Sequence, residues 1–187
     1  MPGIGPRQAR RIVQFLLRAD ARYRRDLLAG IGNITERVSQ CGTCFKFDEV
    51  GRQKRCVLCD SSERDPTILM VVEKDVDIET VEQSGIYKGY YFVLGGLVPL
   101  ARQRKASESP RIEFLKKRLH EDTRVKEVVL AFATTPEGDH TAQEIIGTLK
   151  KEFPRLTVSQ LGRGLSLGAE IEYADQETLR NAFTGRH

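Results

Sequence analysis

Apolar positions along the chain follow two rhythms. Continuous runs stand at residues 67–72 (TILMVV), 90–94 (YYFVL) and 128–133 (VVLAFA). They are too short for helices and rich in β-branched or aromatic residues, so they read as strands buried on both faces. A fourth strand is expected at 157–161. Between them apolar residues recur at helical spacing. Ile78 and Val81, with Ile86 near, suggest a short helix. Ile112, Leu115 and Leu119 lie on a basic one. Ala142, Ile145, Ile146 and Leu149 point inward from a helix predicted over 141–153. This alternation predicts an α/β domain over 66–161, with a small, mostly parallel sheet covered on both faces. Before it, Ala9, Ile12, Val13, Leu16 and Leu17 mark an amphipathic helix. Tyr23, Leu27, Ile31, Ile34 and Val38 mark a second, where Gly30 and Gly32 are expected to weaken it. After it, Ile171 and Tyr173 alternate like a short strand, and residues 174–183 form a short helix with Leu179 and Phe183 apolar.

All four cysteines stand within residues 41–59, as Cys41-x2-Cys44, eleven residues, then Cys56-x2-Cys59. Two such hooks facing each other bring four thiolates around one tetrahedral ion, which suits one structural Zn²⁺ per chain. Residues 41–65 are therefore expected to form a four-cysteine zinc finger. Asp48 and Gly51 supply turns between edges at Phe45/Phe47 and Arg55/Val57–Leu58, as in a zinc ribbon. Clustered buried thiols or two disulfides are the other readings. The N-terminus has no signal-peptide core, and no apolar run nears the ~20 residues that span a bilayer. The expectation is a cytoplasmic protein with reduced thiols. A four-thiolate site has no open position for substrate, so this zinc organises the chain rather than catalysing.

The net charge of +4 is unevenly spread: residues 1–40 carry a net +5 and the remainder is close to neutral. A basic segment on a neutral body points to phosphate, although a solvated helix face has the same composition. Within it, PGIGPRQARR at residues 2–11 places two glycines and Pro6 at a helix start, where free N–H groups suit a phosphate. The stretch resembles the hairpin of helix-hairpin-helix motifs, which grip the sugar-phosphate backbone without reading bases. Arg7, Arg10 and Arg11 are the candidate DNA-binding residues. The motif normally has a helix before its hairpin, and this chain opens at Met1 in the hairpin. That helix has been lost, the start is misassigned, or a neighbouring subunit supplies the packing.

Glu73 ends the first central strand, and Thr134-Thr135-Pro136-Glu137-Gly138-Asp139 forms a loop after the third. This arrangement resembles the Toprim domain, in which a glutamate and an Asp-x-Asp pair hold Mg²⁺ for phosphoryl transfer. Here the Asp-x-Asp positions are Ala133 and Thr135, so the metal set is depleted and a non-catalytic domain is expected. Glu73, Glu137 and Asp139 also read as favourable charges at helix starts. Lone His140, Lys74, Lys88 and the basic cluster at 102–105 read as solvated.

Taken together, PGIGPRQARR (2–11), the four cysteines, VVE (71–73), GIYKGYYFVLGGLVPL (85–100), EVVLA (127–131), PEGDHTA (136–142) and GRGLSLGAEIEYADQETLRNAF (162–183) resemble the bacterial RecR family of recombination mediators over nearly the whole chain. The resemblance implies a non-enzymatic DNA-binding protein of recombinational repair. It would act with RecO, and in many bacteria RecF, to load RecA onto single-stranded DNA coated by single-strand-binding protein. It also implies a tetrameric ring built through swapped termini and a nucleoid association. The acidic face of Glu73, Glu137 and Asp139 would meet basic RecO. Residues 162–187, with Leu165 and Leu167 among glycines, would serve oligomerisation; packing on the chain's own sheet is the other reading. A Mg²⁺-dependent Toprim enzyme acting on DNA is the alternative function.

Overall fold

A computed structural model of the chain describes residues 3–49, 54–100, 110–162, 164–165 and 168–184. Pro2, Gly51, the basic cluster at 102–105 and Leu167 lie outside the described residues. The backbone divides into two compact units, Met1–Gly42 with Phe47–Cys56, and Thr43–Lys46 with Val57–His187.

In the first unit, Pro6 occupies the first turn of α1 (Pro6–Arg18), where its missing N–H costs nothing. Asp20 caps α2 (Ala21–Arg37): its carboxylate accepts from the Tyr23 N–H at 2.8 Å. Arg24 closes the turn between the helices by donating to the carbonyl of Ala19 at 2.6 Å, and Phe15 meets Tyr23 edge-on at 5.4 Å. α2 runs through Gly30 and Gly32 without a break. The expected apolar stripes are present, yet they build no core. No residue of α1 is buried, and Leu17 and Leu28 are 68% and 69% exposed. Short β1 (Val38–Gln40) pairs antiparallel with β2 (Phe47–Glu49).

In the second unit, β3 (Asp65–Val72), β4 (Gly89–Val93), β5 (Glu127–Ala131) and β6 (Thr157–Gln160) form a sheet in the order β4-β3-β5-β6, with every pairing parallel. Strand alternation sorts the residues by face. Leu69 and Val71 face α5 (Ile112–Glu121) and α6 (Pro136–Glu152), packing with Leu115, Leu119, Ala142, Ile145 and Leu149. Met70 and Val72 face α4 (Asp75–Ser84), packing with Ile78, Tyr91 and Val93. The α/β class and two-sided burial read from the sequence are therefore those observed.

Three local expectations need correction. α6 starts at Pro136 rather than 141, so Glu137 and Asp139 stand in its first turn and not in a loop. The Thr135 hydroxyl caps it, accepting from the Gly138 N–H at 3.1 Å, and Pro136 fits the first helical position. Residues Ile171–Tyr173 form one 3-10 turn instead of a strand, ahead of α7 (Gln176–Thr184). The ribbon edge expected at Val57–Leu58 is the short helix α3 (Val57–Asp60); Phe47 pairs instead with Gln40.

Candidate metal centre and nucleic-acid interface

Cys41, Cys44, Cys56 and Cys59 are each at most 2% exposed, and none is in a disulfide. Their sulfurs all lie within 4.8 Å of one another. Tetrahedral zinc with Zn–S bonds of about 2.3 Å separates its sulfurs by roughly 3.8 Å, so the four thiolates fit such an ion with a small contraction. The Cys56 N–H points at Cys41 Sγ, 3.4 Å away. An N–H donor of this kind stabilises thiolate charge.

The second hook residue is tied to the sheet. The Cys44 carbonyl accepts from the Val93 N–H at 2.8 Å, so the turn extends the hydrogen bonding of β4 beyond its own partner strand. Phe45 follows in a left-handed conformation (φ 64°), uncommon for a bulky residue. Its ring packs edge-on against Phe92 at 5.5 Å and Phe114 at 5.1 Å, under the guanidinium of Arg111. Arg118, 9% exposed, donates to the carbonyls of Tyr91 at 2.7 Å and Thr43 at 3.2 Å. Arg111 and Arg118 were not singled out from the sequence. The available signal for Arg118 was its helical phase, between Leu115 and Leu119 on the inward face of α5.

Glu73 stands at the carboxyl end of β3. Its side chain pairs with Lys74 at 3.0 Å, and that hydrogen bond holds the Lys74 ammonium above the usual lysine range. Val72 is paired with Ala131, so Glu73 and the start of α6 share one end of the sheet. Glu137 is exposed and Asp139 half-buried. Among the described residues the four cysteines are the set whose ligand atoms converge; the three acids share an end without doing so. Ala133 offers no ligand, and the Thr135 hydroxyl is committed to its cap. The Ala133 carbonyl also presses against the next turn. A Cβ on Gly138 would stand 2.0 Å from that oxygen, so glycine is required there.

Arg7, Arg10 and Arg11 lie exposed on α1 and make no ion pair among the described residues. Gly3 has φ +75°, and Gly5 gives α1 no side-chain cap among the described residues, an arrangement of first-turn N–H groups that suits an anion.

Sequence comparison places the chain in one family. Recombination protein RecR of Treponema pallidum is 39% identical over 187 residues, covering all of this chain and 89% of its own. The RecR proteins of Moorella thermoacetica and Paenarthrobacter aurescens are 38% and 37% identical, each over the whole of this chain and 90% of theirs. The chain belongs to the RecR family. Within it, residues 67–161 match the Toprim domain and residues 164–187 match the RecR C-terminal region. The Toprim match spans β3 to β6, the whole parallel sheet. No helix among the described residues is long and apolar enough to cross a membrane.

Proposed function

We propose that this chain is a recombination mediator of DNA repair that holds DNA by its backbone and breaks no bond in it. The observation that supports this most is full-length similarity to proteins named for recombination. Residues 1–40 would grip phosphates through Arg7, Arg10 and Arg11 and the open N-terminus of α1, with no preference for sequence. Residues 41–65 would hold one structural Zn²⁺ through the four cysteines. Residues 66–161 would present Glu73, Glu137 and Asp139 to RecO, an acidic face suited to a basic partner. RecF would join where it exists, the outcome being RecA loaded onto DNA coated by single-strand-binding protein in the cytoplasm, at the nucleoid.

Assembly into a ring, in this reading a tetramer, is supported by apolar residues left uncovered at both ends of the chain. Ile31 and Ile34 of α2, and Ile171, Tyr173 and Phe183 near the C-terminus, are all more than half exposed. Residues 162–187 would dock on a neighbour.

The test combines solution mass with DNA binding at several salt concentrations. A multimer whose affinity falls with salt, and falls less steeply in Arg7→Gln/Arg10→Gln/Arg11→Gln, supports the reading. A monomer indifferent to DNA at low salt defeats it.

A further inference from the structure

Parallel pairing gives the sheet two chemically different ends. Glu73 and the start of α6 occupy the end where strands finish. At the opposite end, where β5 and β6 begin, a cleft of about 500 Å³ opens between α5, the end of α6 and the two strand starts. Its floor is apolar, made by Leu119, Val125 and Leu156. One wall is aromatic: His120 lies 4.7 Å from Phe153, ring centre to ring centre. The rim carries Lys126 and Arg155, both exposed and neither in an ion pair among the described residues.

The acids nearby are engaged. Glu152 is held by Lys116 at 2.9 Å and by His120 at 2.7 Å. Glu127 accepts from Ser159 at 2.6 Å, and Asp65 from the Thr67 hydroxyl at 2.7 Å. Asp122 is paired with Arg124 at 2.8 Å. Over this apolar, ring-lined hollow neither cation is in an ion pair among the described residues, although the Asp65 carboxyl, held below its ordinary range by hydrogen bonds from Thr67, also feels the Lys126 charge. The backbone at Lys126 is held in the sheet: its N–H donates to the Thr67 carbonyl at 2.8 Å and its carbonyl accepts from the Thr157 N–H at 2.9 Å.

A ligand that suits this chemistry has a flat, weakly polar ring joined to anions on either side. We propose that the cleft is a second nucleic-acid site, one that takes single-stranded DNA. An unstacked base rests on the His120–Phe153 wall, and its flanking phosphates meet Lys126 and Arg155. Stacking on a ring is tolerant of base identity, so the site adds affinity without sequence preference. A duplex does not offer a free base face, so the cleft favours single strands over double. The inference rests on the DNA-binding reading above and extends it to a different surface.

The test uses the zinc-loaded full chain and a labelled oligothymidylate. Lys126→Gln/Arg155→Gln should lower the slope of log affinity against log salt by about 1.4, the release of two single-strand phosphates. His120→Ala should weaken binding at least about fivefold with the slope unchanged, as expected for lost stacking. Duplex binding should change little in either variant. A photoreactive pyrimidine in the oligonucleotide should crosslink to the peptide carrying His120 or Phe153. Parent-like affinity and slope in Lys126→Gln/Arg155→Gln would overturn the site, as would crosslinking that never reaches the peptide carrying His120 or Phe153. If the hairpin variant loses binding while Lys126→Gln/Arg155→Gln retains it, only this inference falls. If the parent binds no DNA at all, the functional reading falls with it.

Discussion

Arg118 on α5 donates to the carbonyl of Thr43, 75 residues earlier, across 3.2 Å, and with the same nitrogen to Tyr91 at 2.7 Å. A buried guanidinium without these acceptors would be costly, so the two carbonyls and the charge require one another. The turn that carries Cys44 is thereby fixed to the Toprim sheet from inside. Arg118→Met should leave both carbonyls without that donor and lower stability by roughly 2–3 kcal/mol. It should also speed the transfer of bound metal to a chelator. Chemical denaturation and a chelator-release assay measure the two effects.

Metal removal should be felt at β4. The purified chain is expected to hold one zinc, measurable by elemental analysis, and Cys44→Ser should lose it. Because the Cys44 carbonyl accepts from the Val93 N–H, stripping the metal should accelerate hydrogen exchange at Val93. Exchange deep in β3, at Leu69 for instance, should respond less. Equal loss across the sheet would mean that the whole unit melts without metal.

Much of this arrangement could be read in the residues, and the rest could not for identifiable reasons. The β3 run is legible because four consecutive apolar residues need cover on both faces, which only a central strand provides. The convergence of the four cysteines is legible because the spacing of each pair is local. The early start of α6 was also written locally, in Thr135 as cap and Pro136 at the first turn, although the apolar spacing points to a helix only from 141. Only the structure shows that Gly138 admits the Ala133 carbonyl. Arg118 was beyond reach in a stronger sense: its partners are distant in sequence, and a charge on a helix is usually solvated. The apolar stripes of α1 and α2 were correctly phased, but phase predicts a face and not what covers it.

Thr135→Ala should lower stability by about 1 kcal/mol, the usual loss of a cap. Gly138→Ala should cost more, since the added methyl meets a backbone oxygen and not a mobile side chain. Both are read by thermal unfolding. Neither parent nor variant should cut DNA with Mg²⁺ present. Cutting that disappears in Glu73→Gln would establish the Toprim enzyme reading instead.

Acid should act on the network around Glu82. Burial pushes this carboxyl up, but hydrogen bonds from Arg64 and Tyr91 outweigh it and hold it below the ordinary carboxylate range. The Tyr91 hydroxyl lies 2.6 Å away, and Arg64 forms the ion pair. A depressed carboxyl stabilises the fold above its unfolded pKa, and that contribution fades as pH falls through the folded value. Melting temperature should therefore drop from about pH 5 downward. Glu82→Gln should melt lower at neutral pH, because Arg64 loses its charged partner, and should show a shallower acid decline.

The uncovered face of α2 bears on assembly. Leu28 and Ile31 are 69% and 54% exposed, so neither contributes packing that the single chain needs. Replacing both with glutamate removes little burial within the chain, and surface substitutions of this kind usually shift stability by under about half a kcal/mol. In an assembly that buries this face, the same change places two charges in an apolar contact, which is far more costly. Leu28→Glu/Ile31→Glu should accordingly keep its helical content and bound zinc while its solution mass falls toward that of one chain. If the arginine hairpins grip DNA as proposed, the variant's affinity for it should fall too, because linked copies act at a high effective concentration and single copies do not. Light scattering and a binding isotherm on one preparation test both. A mass equal to that of the parent would show that α2 is not the contact that joins the copies.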